Sequence, residues 1–385
     1  MNPTLKSLRQ SLFLISMPMV FIMFGLPLRA EDLGASGIEI GALFAIFTAS
    51  LLVIRPLVGI GLDLIGRRIF FIAAMAAYLA ANALYAFADT LPGLFFARAF
   101  HGLGFSFLLI TADTITADVT ARENRSEAMG GNIASQSRGG MIGAFVGFSL
   151  VGAMPGIAWQ YSFAVFAAAA FAALIFSIRN IPETRAPREK SAKRQKFNFP
   201  SRYYRLLFVI FLGALASAII QPYYLIYLRG KLGLEVNALA AVFIPVGIAY
   251  AVLPGILGKM TGRFNRPAVI TAGLLIAAML YLAVPFIDGF FVLIAAFTAA
   301  AIGSVLYDLT KNAWIGDIGG DETSGRNFGL AAFAAGLGAT LGPLIGGYVF
   351  DGFGREFVFY AGALVFLIAM LLTLPYIYDH RSQAN

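Results

Sequence analysis

The chain has 385 residues, of which 59% are hydrophobic and 12% are charged, and its formal net charge is +8. A soluble protein of this length needs more charged residues to cover its surface, so the composition indicates a membrane protein. The sequence contains no cysteine and two histidines, His101 and His380. This excludes disulfides and thiolate chemistry and speaks against a histidine-rich metal site, so we expect no metal and no cofactor.

Twelve hydrophobic segments of about 20 residues or more follow one another along the chain, and this length crosses a ~30 Å hydrocarbon core as an α-helix. The predicted spans are 11–29, 38–62, 69–88, 93–117, 128–153, 158–178, 204–228, 235–258, 267–287, 289–316, 327–350 and 356–378. The first span follows Lys6 and Arg9 without a small-residue cleavage site, so we expect a retained helix and not a signal peptide. The predicted fold class is an all-α membrane protein with twelve transmembrane helices.

A strongly basic polar segment divides the spans into two groups of six. We predict an N-terminal six-helix bundle over 1–178, a cytoplasmic linker over 179–203 and a C-terminal six-helix bundle over 204–385. The predicted cytoplasmic segments hold 20 of the 28 Lys and Arg residues, and the predicted outer loops hold four. By the positive-inside rule, both termini are then cytoplasmic. We expect the basic linker to contact anionic membrane lipid, and we do not expect nucleic acid as a partner.

A glycine stripe with a spacing of four residues occurs in the fifth span and again in the eleventh. The two stripes are Gly139, Gly143 and Gly147, and Gly338, Gly342 and Gly346. Small residues at this spacing allow helix backbones to approach closely within a membrane. Two similar six-helix halves with a cavity between them are typical of transporters that work by alternating access.

The loop between the second and third spans resembles the G-x-x-x-D-R-x-G-R-R signature of the major facilitator superfamily. The matching residues are Gly59, Asp63, Gly66, Arg67 and Arg68. Leu64 replaces the usual basic residue, and the second-half copy of this loop has Lys259 at the place of Asp63.

The fourth span matches the same family at further positions. Arg98 is followed by Gly102 and Gly104, and Asp118 precedes Arg125 at the predicted cytoplasmic end. The resemblance covers essentially the whole chain. It implies two pseudo-symmetric halves and a monomeric secondary transporter in the cell membrane, with a small-molecule substrate and no enzymatic activity. It does not identify the solute, because many functions share this fold.

Charged residues inside the spans are the strongest indication of a functional site, because a charge in hydrocarbon requires an interior position or a partner. These residues are Arg55, Asp113, Arg138, Asp308 and Lys311. Asp113 and Asp308 are the only acids well inside a span, so they are the proton-coupling candidates. The three cations are candidates for binding an anionic or zwitterionic solute. Alternatively, Asp113 pairs with Arg138, and Asp308 pairs with Lys311, as structural ion pairs.

Polar residues of the fifth and seventh spans are further candidates for solute binding. They are Asn132, Gln136, Gln221, Tyr223 and Tyr224. For the two tyrosines, the alternative is a place in an aromatic belt at the membrane interface.

Two more positions have alternative interpretations. Arg98 and His101 share one helix face, where Arg98 either influences a carboxylate or extends to the interface as a helix-end arginine. His101 is expected to be a packed polar residue rather than a proton relay. Asp63 is expected to accept hydrogen bonds from an arginine or a helix N-terminus and thereby to act as a gating latch.

These features predict a secondary active transporter that works by alternating access. The favoured function is proton-coupled export of a small amphipathic or anionic/zwitterionic metabolite or drug. Proton-coupled or facilitative uptake of a small organic anion is the alternative, because exporters of the family often carry Gly-Pro in the fifth span, where this chain has Gly143-Ala144. A non-transporting membrane sensor or scaffold is the alternative from another class, and it would not need charges inside the spans.

Overall fold

The computed structural model describes residues 2–121, 124–154, 156–185, 201–233, 265–319 and 324–382, with isolated positions at 245, 248, 249 and 253. Before the linker, the helices are α1 (Pro3–Ile15), α2 (Met17–Asp32), α3 (Gly37–Leu64), α4 (Arg67–Ala86), α5 (Leu91–Val119), α6 (Arg125–Ala153) and α7 (Ala158–Asn180). After it, they are α8 (Ser201–Ile220), α9 (Tyr224–Leu232), α10 (Arg266–Ala283), α11 (Phe290–Gly319), α12 (Ser324–Phe353) and α13 (Phe357–Ser382).

Proline interrupts the first long span of each half. Pro18 lies in the first turn of α2, directly after α1, and Pro222 lies in the 3-10 turn between α8 and α9. Proline has no N–H group to continue the helical hydrogen bonds, but it fits the first turn of a new segment. Both spans continue beyond the break, over Pro3–Asp32 and Tyr203–Leu232, with 30 residues each.

Ten helical spans within the described residues are long and apolar enough to cross a membrane, and they correspond to ten of the twelve predicted spans. The predicted fifth span is the continuous helix α6, in which polar residues such as Gln136 and Arg138 lower the mean hydropathy. The predicted eighth span, 235–258, lies outside the described residues apart from isolated positions, and so does the loop that contains Lys259.

The chain divides into two compact units. The N-terminal unit comprises Met1–Ala35 and Ile46–Gln195, and the C-terminal unit comprises Ser36–Ala45 and Lys196–Asn385. In the N-terminal unit, α4 packs against α5 and α7, and α6 packs against α1 and α2. In the C-terminal unit, α8 packs against α12 and α13, and α10 packs against α11 and α13. Most of the predicted linker, 186–200, lies outside the described residues.

The glycine stripe of each unit is the surface on which a helix backbone approaches its neighbour. In α6, a Cβ atom at Gly143 would overlap the carbonyl group of Met17 in α2. In α12, a Cβ atom at Gly338 or at Gly346 would overlap a carbonyl oxygen of α8, that of Phe211 or that of Ile219. Both stripes therefore bring two backbones into direct van der Waals contact, which is the packing predicted from the spacing of four residues.

Gly143→Ala should lower the free energy of unfolding by about 1–3 kcal/mol, because the added methyl group collides with a helix backbone that yields less easily than a side chain. Thermal unfolding of the purified protein in detergent measures the change. Gly130→Ala in the same helix is the matched control, because nothing lies within 4 Å of its added Cβ atom. The control should gain up to ~1 kcal/mol from helix propensity. If both variants were equally stable, the stripe would not set the packing distance.

Candidate functional site

A polar cavity lies among four helices of the C-terminal unit, α8, α10, α11 and α13. Its volume is about 100 Å³. The lining residues are Ile210, Gly213, Ala214, Ser217, Gly273, Leu274, Ala277, Ser304, Tyr307, Asp308, Lys311 and Phe366. Gly213 on α8 leaves room for the Tyr307 side chain of α11, because a Cβ atom at this glycine would lie 2.6 Å from the Tyr307 hydroxyl.

The charged pair Asp308–Lys311 lies at this cavity. Lys311 Nζ donates a hydrogen bond to Asp308 Oδ1 at 2.6 Å. The side chain of Lys311 is 17% exposed and that of Asp308 is 49% exposed, so the acid is the more accessible partner. The contact expected from the spacing of three residues is therefore present, and both groups line the cavity.

Tyr307 is the member of this site that the sequence analysis did not single out. Its ring lies under the Lys311 ammonium group, with 4.9 Å between Nζ and the ring centroid. Its hydroxyl is buried and has no hydrogen-bond partner within the described residues. A buried hydroxyl without a partner costs about 1–3 kcal/mol, so such a group indicates that a water molecule or a ligand completes the site. The available signal was its position, four residues before Lys311 on the same helix face.

In the N-terminal unit, Asp113 of α5 interacts electrostatically with Arg55 of α3. The pairing of Asp113 with Arg138 that we considered is wrong, because the side chain of Arg138 is exposed and has no ion pair within the described residues. The Arg55 side chain is half-buried, and its Nε atom has no hydrogen-bond partner in the described part of the chain. The partner of Asp113 therefore lies on α3 rather than on α6.

Arg98 is buried in an aromatic environment, with 5% of its surface exposed. Its guanidinium group lies 4.3 Å from the ring centroid of Phe47, and Arg98 Nη1 donates to His101 Nδ1 at 3.3 Å. The interpretation of Arg98 as a helix-end arginine at the interface is therefore wrong. His101 is itself buried and lies between aromatic rings, as expected for a packed polar residue. Gly102 and Gly104 allow the close approach of Ser50 and Tyr78 to this helix.

The polar candidates on α6 and after α8 differ in their accessibility. Asn132 is buried and donates to Thr116 Oγ1 of α5 at 2.7 Å, so it connects two helices. Gln136 and Gln221 are partly exposed. Tyr224 lies in an aromatic cluster with Phe297, at 4.7 Å between the ring centroids.

Tyr223 is fully buried and bridges two helices of the C-terminal unit. Its hydroxyl lies 2.9 Å from Gly37 O of α3 and 2.7 Å from Pro343 O of α12. In the same region, the Asp351 carboxylate accepts hydrogen bonds from the backbone N–H groups of Gly37 (2.6 Å) and Ile38 (2.9 Å). This geometry gives Tyr223 a structural role, and neither solute contact nor an interfacial belt fits a fully buried side chain.

The signature loop forms a hydrogen-bond network at the start of α4. Glu183, which follows α7, accepts from the backbone N–H groups of Arg67 (2.9 Å) and Arg68 (3.1 Å). Arg67 Nε donates to Asp118 Oδ2 of α5 at 3.0 Å, and Thr184 Oγ1 donates to the same oxygen at 3.0 Å. The network therefore joins α4, α5 and the segment that follows α7.

Gly66 allows Glu183 to reach this position. Its φ angle is +123°, which disfavours other residues, and a Cβ atom here would overlap the Glu183 carboxylate. Asp63 is exposed and has no hydrogen bond or ion pair within the described residues, and nothing lies within 4 Å of a Cβ atom at Gly59. Arg67 and Glu183 make the contacts to α5 and to a helix N-terminus that we expected of Asp63. The gating role of the loop stays a prediction.

The ionisation of Glu183 is coupled to this network. Partial burial alone would raise the pKa of Glu183, but hydrogen bonds from the backbone N–H groups of Arg67, Arg185, Arg68 and Thr184 hold its pKa below the ordinary value of 4.5. A carboxylate whose pKa is lowered in the folded state stabilises the fold above its unfolded-state pKa. This contribution is therefore complete at neutral pH and is lost as the pH falls below about 4.5.

Glu183→Gln should lower the free energy of unfolding by about 0.5–2 kcal/mol at neutral pH, because the N-terminus of α4 loses a charged cap. The difference from the wild type should shrink as the pH falls below 4.5, where the wild-type carboxylate is itself protonated. Thermal unfolding across a pH series measures both effects. Asp63→Asn removes an exposed carboxylate of the same loop and should leave the stability within the error of the wild type. A pH-independent difference for Glu183→Gln would contradict the cap.

Tyr223→Phe should lower the free energy of unfolding by about 1–3 kcal/mol, because the carbonyl groups of Gly37 and Pro343 lose a buried partner. Solute transport per folded molecule should stay close to the wild-type rate. Tyr224→Phe is the comparison, since this side chain is partly exposed. Loss of solute affinity in a stable Tyr223→Phe protein would instead place this hydroxyl at the solute.

Comparison with known proteins agrees with this architecture. The family model described as "Major Facilitator Superfamily" matches residues 11–244 and 206–385. The chain is 24% identical to "Multidrug resistance protein 1" of Bacillus subtilis (strain 168) over 381 residues, covering 97% of this chain and 96% of the relative. It is 22% identical to "Quinolone resistance protein NorA" of Staphylococcus aureus (strain MRSA252), covering 91% of each.

A solved structure confirms the fold at lower sequence identity. The inward-facing, occupied structure of a bacterial homologue of the human lysosomal transporter Spinster has a TM-score of 0.82 at 15% identity, with 97% of each chain covered. The predicted all-α fold with twelve transmembrane helices in two six-helix halves is confirmed. The chain belongs to the major facilitator superfamily and is a multi-pass membrane transporter.

Proposed function

We propose that this transporter is a proton-coupled antiporter that exports a small amphipathic or anionic/zwitterionic metabolite or drug. Export is supported by relatives named for resistance to drugs and to quinolones, which match nearly the whole chain. Proton coupling rests on one observation, the Asp308–Lys311 pair inside a membrane span and at a polar cavity. We also propose that the transporter is a monomer and that both of its termini are cytoplasmic. We expect no catalytic activity, since members of this family transport solutes.

Asp308 is the proposed proton carrier. When it is ionised, its charge is balanced by Lys311 at 2.6 Å, which offsets the cost of a carboxylate within a span. When it is protonated, the ion pair is lost and the Lys311 ammonium group requires another partner. Because 49% of the Asp308 side chain is exposed, both states are accessible to a proton. Two states with different internal contacts are what a coupling site needs to bias a conformational equilibrium.

Asp113 is the second candidate, because it is the other acid inside a span and interacts with Arg55. Asp308, in contrast, lines the polar cavity of the C-terminal unit together with its partner Lys311. We therefore assign the coupling proton to Asp308 and regard the Asp113–Arg55 interaction as a link between α3 and α5.

Asp308→Asn should abolish transport driven by a pH gradient, with at least a tenfold loss, while exchange of solute without a gradient continues. The reason is that a neutral side chain cannot release a proton to drive the cycle. The measurement uses protein reconstituted in lipid vesicles, a quinolone as test solute and a trapped pH-sensitive dye. Lys231→Gln is the control, because Lys231 pairs with Asp288 at 3.1 Å and does not line the cavity.

The same assay separates the two acids. Asp113→Asn should retain a pH-driven rate within a few-fold of the wild type if the assignment to Asp308 is right. Loss of coupling in Asp113→Asn alone would move the proton to the N-terminal unit. Normal coupling in well-folded variants of both acids would contradict proton antiport and would favour facilitated diffusion or another coupling ion.

A further inference from the structure

We propose that the cavity of the C-terminal unit binds a zwitterionic head group of the transported solute, in which an ammonium group and a carboxylate are separated by a few atoms. This inference rests on the proposed function and names the substrate class for it. The carboxylate lies towards Lys311 and the Tyr307 hydroxyl, and the ammonium group lies towards Asp308.

The size of the cavity limits what can enter it. A volume of about 100 Å³ holds roughly three water molecules, each of which takes ~30 Å³. Pockets that enclose a whole drug-sized ligand have about 300–1,000 Å³. The cavity therefore fits a head group of a few heavy atoms, and the rest of an amphipathic solute stays outside it.

The charges at the cavity select the sign of that head group. Asp308 and Lys311 carry opposite charges at 2.6 Å, so the pair has no net charge. Each of the two charges acts on a charged group of the ligand that lies within a few ångströms of it. A single anion is attracted by Lys311 and repelled by Asp308, and the two effects nearly cancel. A zwitterion whose carboxylate faces Lys311 and whose ammonium group faces Asp308 gains both attractions.

The hydroxyl groups decide which end of the ligand faces Lys311. The Tyr307 hydroxyl is buried without a partner in the described residues, and its ring lies 4.9 Å from Lys311 Nζ. Ser217 and Ser304 add two further hydroxyl groups to the lining. A carboxylate accepts several hydrogen bonds, whereas an ammonium group only donates. A cation beside hydroxyl donors is therefore a carboxylate site, and the unpaired Tyr307 hydroxyl is satisfied when this site is filled.

This arrangement makes the proton and the zwitterion compete. A protonated Asp308 no longer attracts the ammonium group, so a bound proton lowers the affinity for the solute and a bound solute lowers the affinity for the proton, as antiport requires. A plain anion would show the opposite linkage, because protonation of Asp308 removes a repulsion and strengthens its binding. The described groups that titrate and face Asp308 are Lys311 and Tyr307, since the lining residues of α8, α10 and α13 carry no ionisable side chain.

Binding of three small probes to the purified full-length protein tests the proposal: glycine as the zwitterion, acetate as the anion and ethylammonium as the cation. Trp314 is a local reporter, three residues after Lys311 and 4.9 Å from the ring of Tyr376. The only other tryptophan is Trp159, and Trp159→Phe leaves Trp314 as the single fluorophore. At equal ionic strength, glycine should give a saturable fluorescence change, and acetate and ethylammonium should bind at least tenfold more weakly.

Variants assign the signal to named groups. Lys311→Gln should abolish glycine binding, Asp308→Asn should weaken it about tenfold without abolishing it and should remove its pH dependence, and Tyr307→Phe should weaken it about fivefold through loss of one hydrogen bond. Lys231→Gln should bind as the wild type does. Thermal stabilisation of the wild type by glycine is a second readout that needs no tryptophan substitution. If a charge variant fails to fold, two other measurements test the same site. One is glycine binding to Tyr307→Phe, and the other is the glycine affinity of the wild type, which should fall as the pH falls.

Four binding results would contradict the inference. Acetate binding as tightly as glycine would make the cavity an anion site, and tighter ethylammonium binding would make it a cation site. Glycine binding that Tyr307→Phe and Lys311→Gln leave unchanged would place the ligand elsewhere. Absence of saturable binding by both readouts would exclude the head group.

If glycine fails to bind but pH-driven quinolone transport persists, the inference fails and the proposed function stands. If glycine binds without pH-driven transport, the proposed function fails and the site stands.

Discussion

A charge inside an apolar helix needs a partner in the protein, because hydrocarbon supplies none, and this constraint accounts for the surroundings of Asp308, Lys311 and Arg98. The two units meet it in different ways. Asp308 and Lys311 neutralise each other on one helix. Arg98 instead lies against the face of Phe47 and donates to His101. The aromatic ring offers a partial negative charge that cannot be protonated. The charge of Lys311 is therefore balanced by a carboxylate, whereas that of Arg98 is stabilised by an aromatic face and a histidine.

Close packing of the helices is the second requirement for a stable membrane protein. Between helices in lipid there is little hydrophobic driving force, so van der Waals contact and backbone proximity hold the bundle together. The stripes on α6 and α12 provide this contact in each unit by bringing glycine against a neighbouring carbonyl group. In the C-terminal unit, Gly213 serves a different purpose, because its missing side chain makes room for the Tyr307 side chain at the cavity. Glycine thus determines both where the helices touch and where a space remains.

Structural features that depend on the spacing of residues close in the sequence could be predicted. Hydropathy gave the spans, and a separation of three residues gave the contact of Asp308 with Lys311. Contacts between distant helices could not be predicted in this way, because helix rotation is not visible in a single sequence. Asp113 therefore faces Arg55 on α3 and not the expected Arg138.

Side-chain accessibility was the other limit of the sequence analysis. Tyr223 follows an apolar helix and looked available to a solute, but hydrogen bonds to two carbonyl groups hold it in the interior. Tyr307 was missed because a tyrosine in an apolar run gives no sign that its hydroxyl will lack a partner. In the signature loop, the family pattern drew attention to Asp63, although Glu183, about 120 residues further along the chain, supplies the cap.

Carboxylates at helix N-termini provide the same kind of connection twice in this protein. Glu183 receives two successive backbone N–H groups at the start of α4, and Asp351 receives those of Gly37 and Ile38 at the start of α3. In both cases the acid is distant in sequence from the helix that it caps. The contact therefore connects two separate segments of the chain in addition to capping a helix. A negative charge at this end of a helix also interacts favourably with the aligned peptide dipoles. Because protonation of Glu183 weakens both effects, its connection is complete at neutral pH, whereas the backbone contacts at the glycine stripes do not depend on pH. The same fold therefore contains backbone contacts at the glycine stripes and an ionisable contact at Glu183.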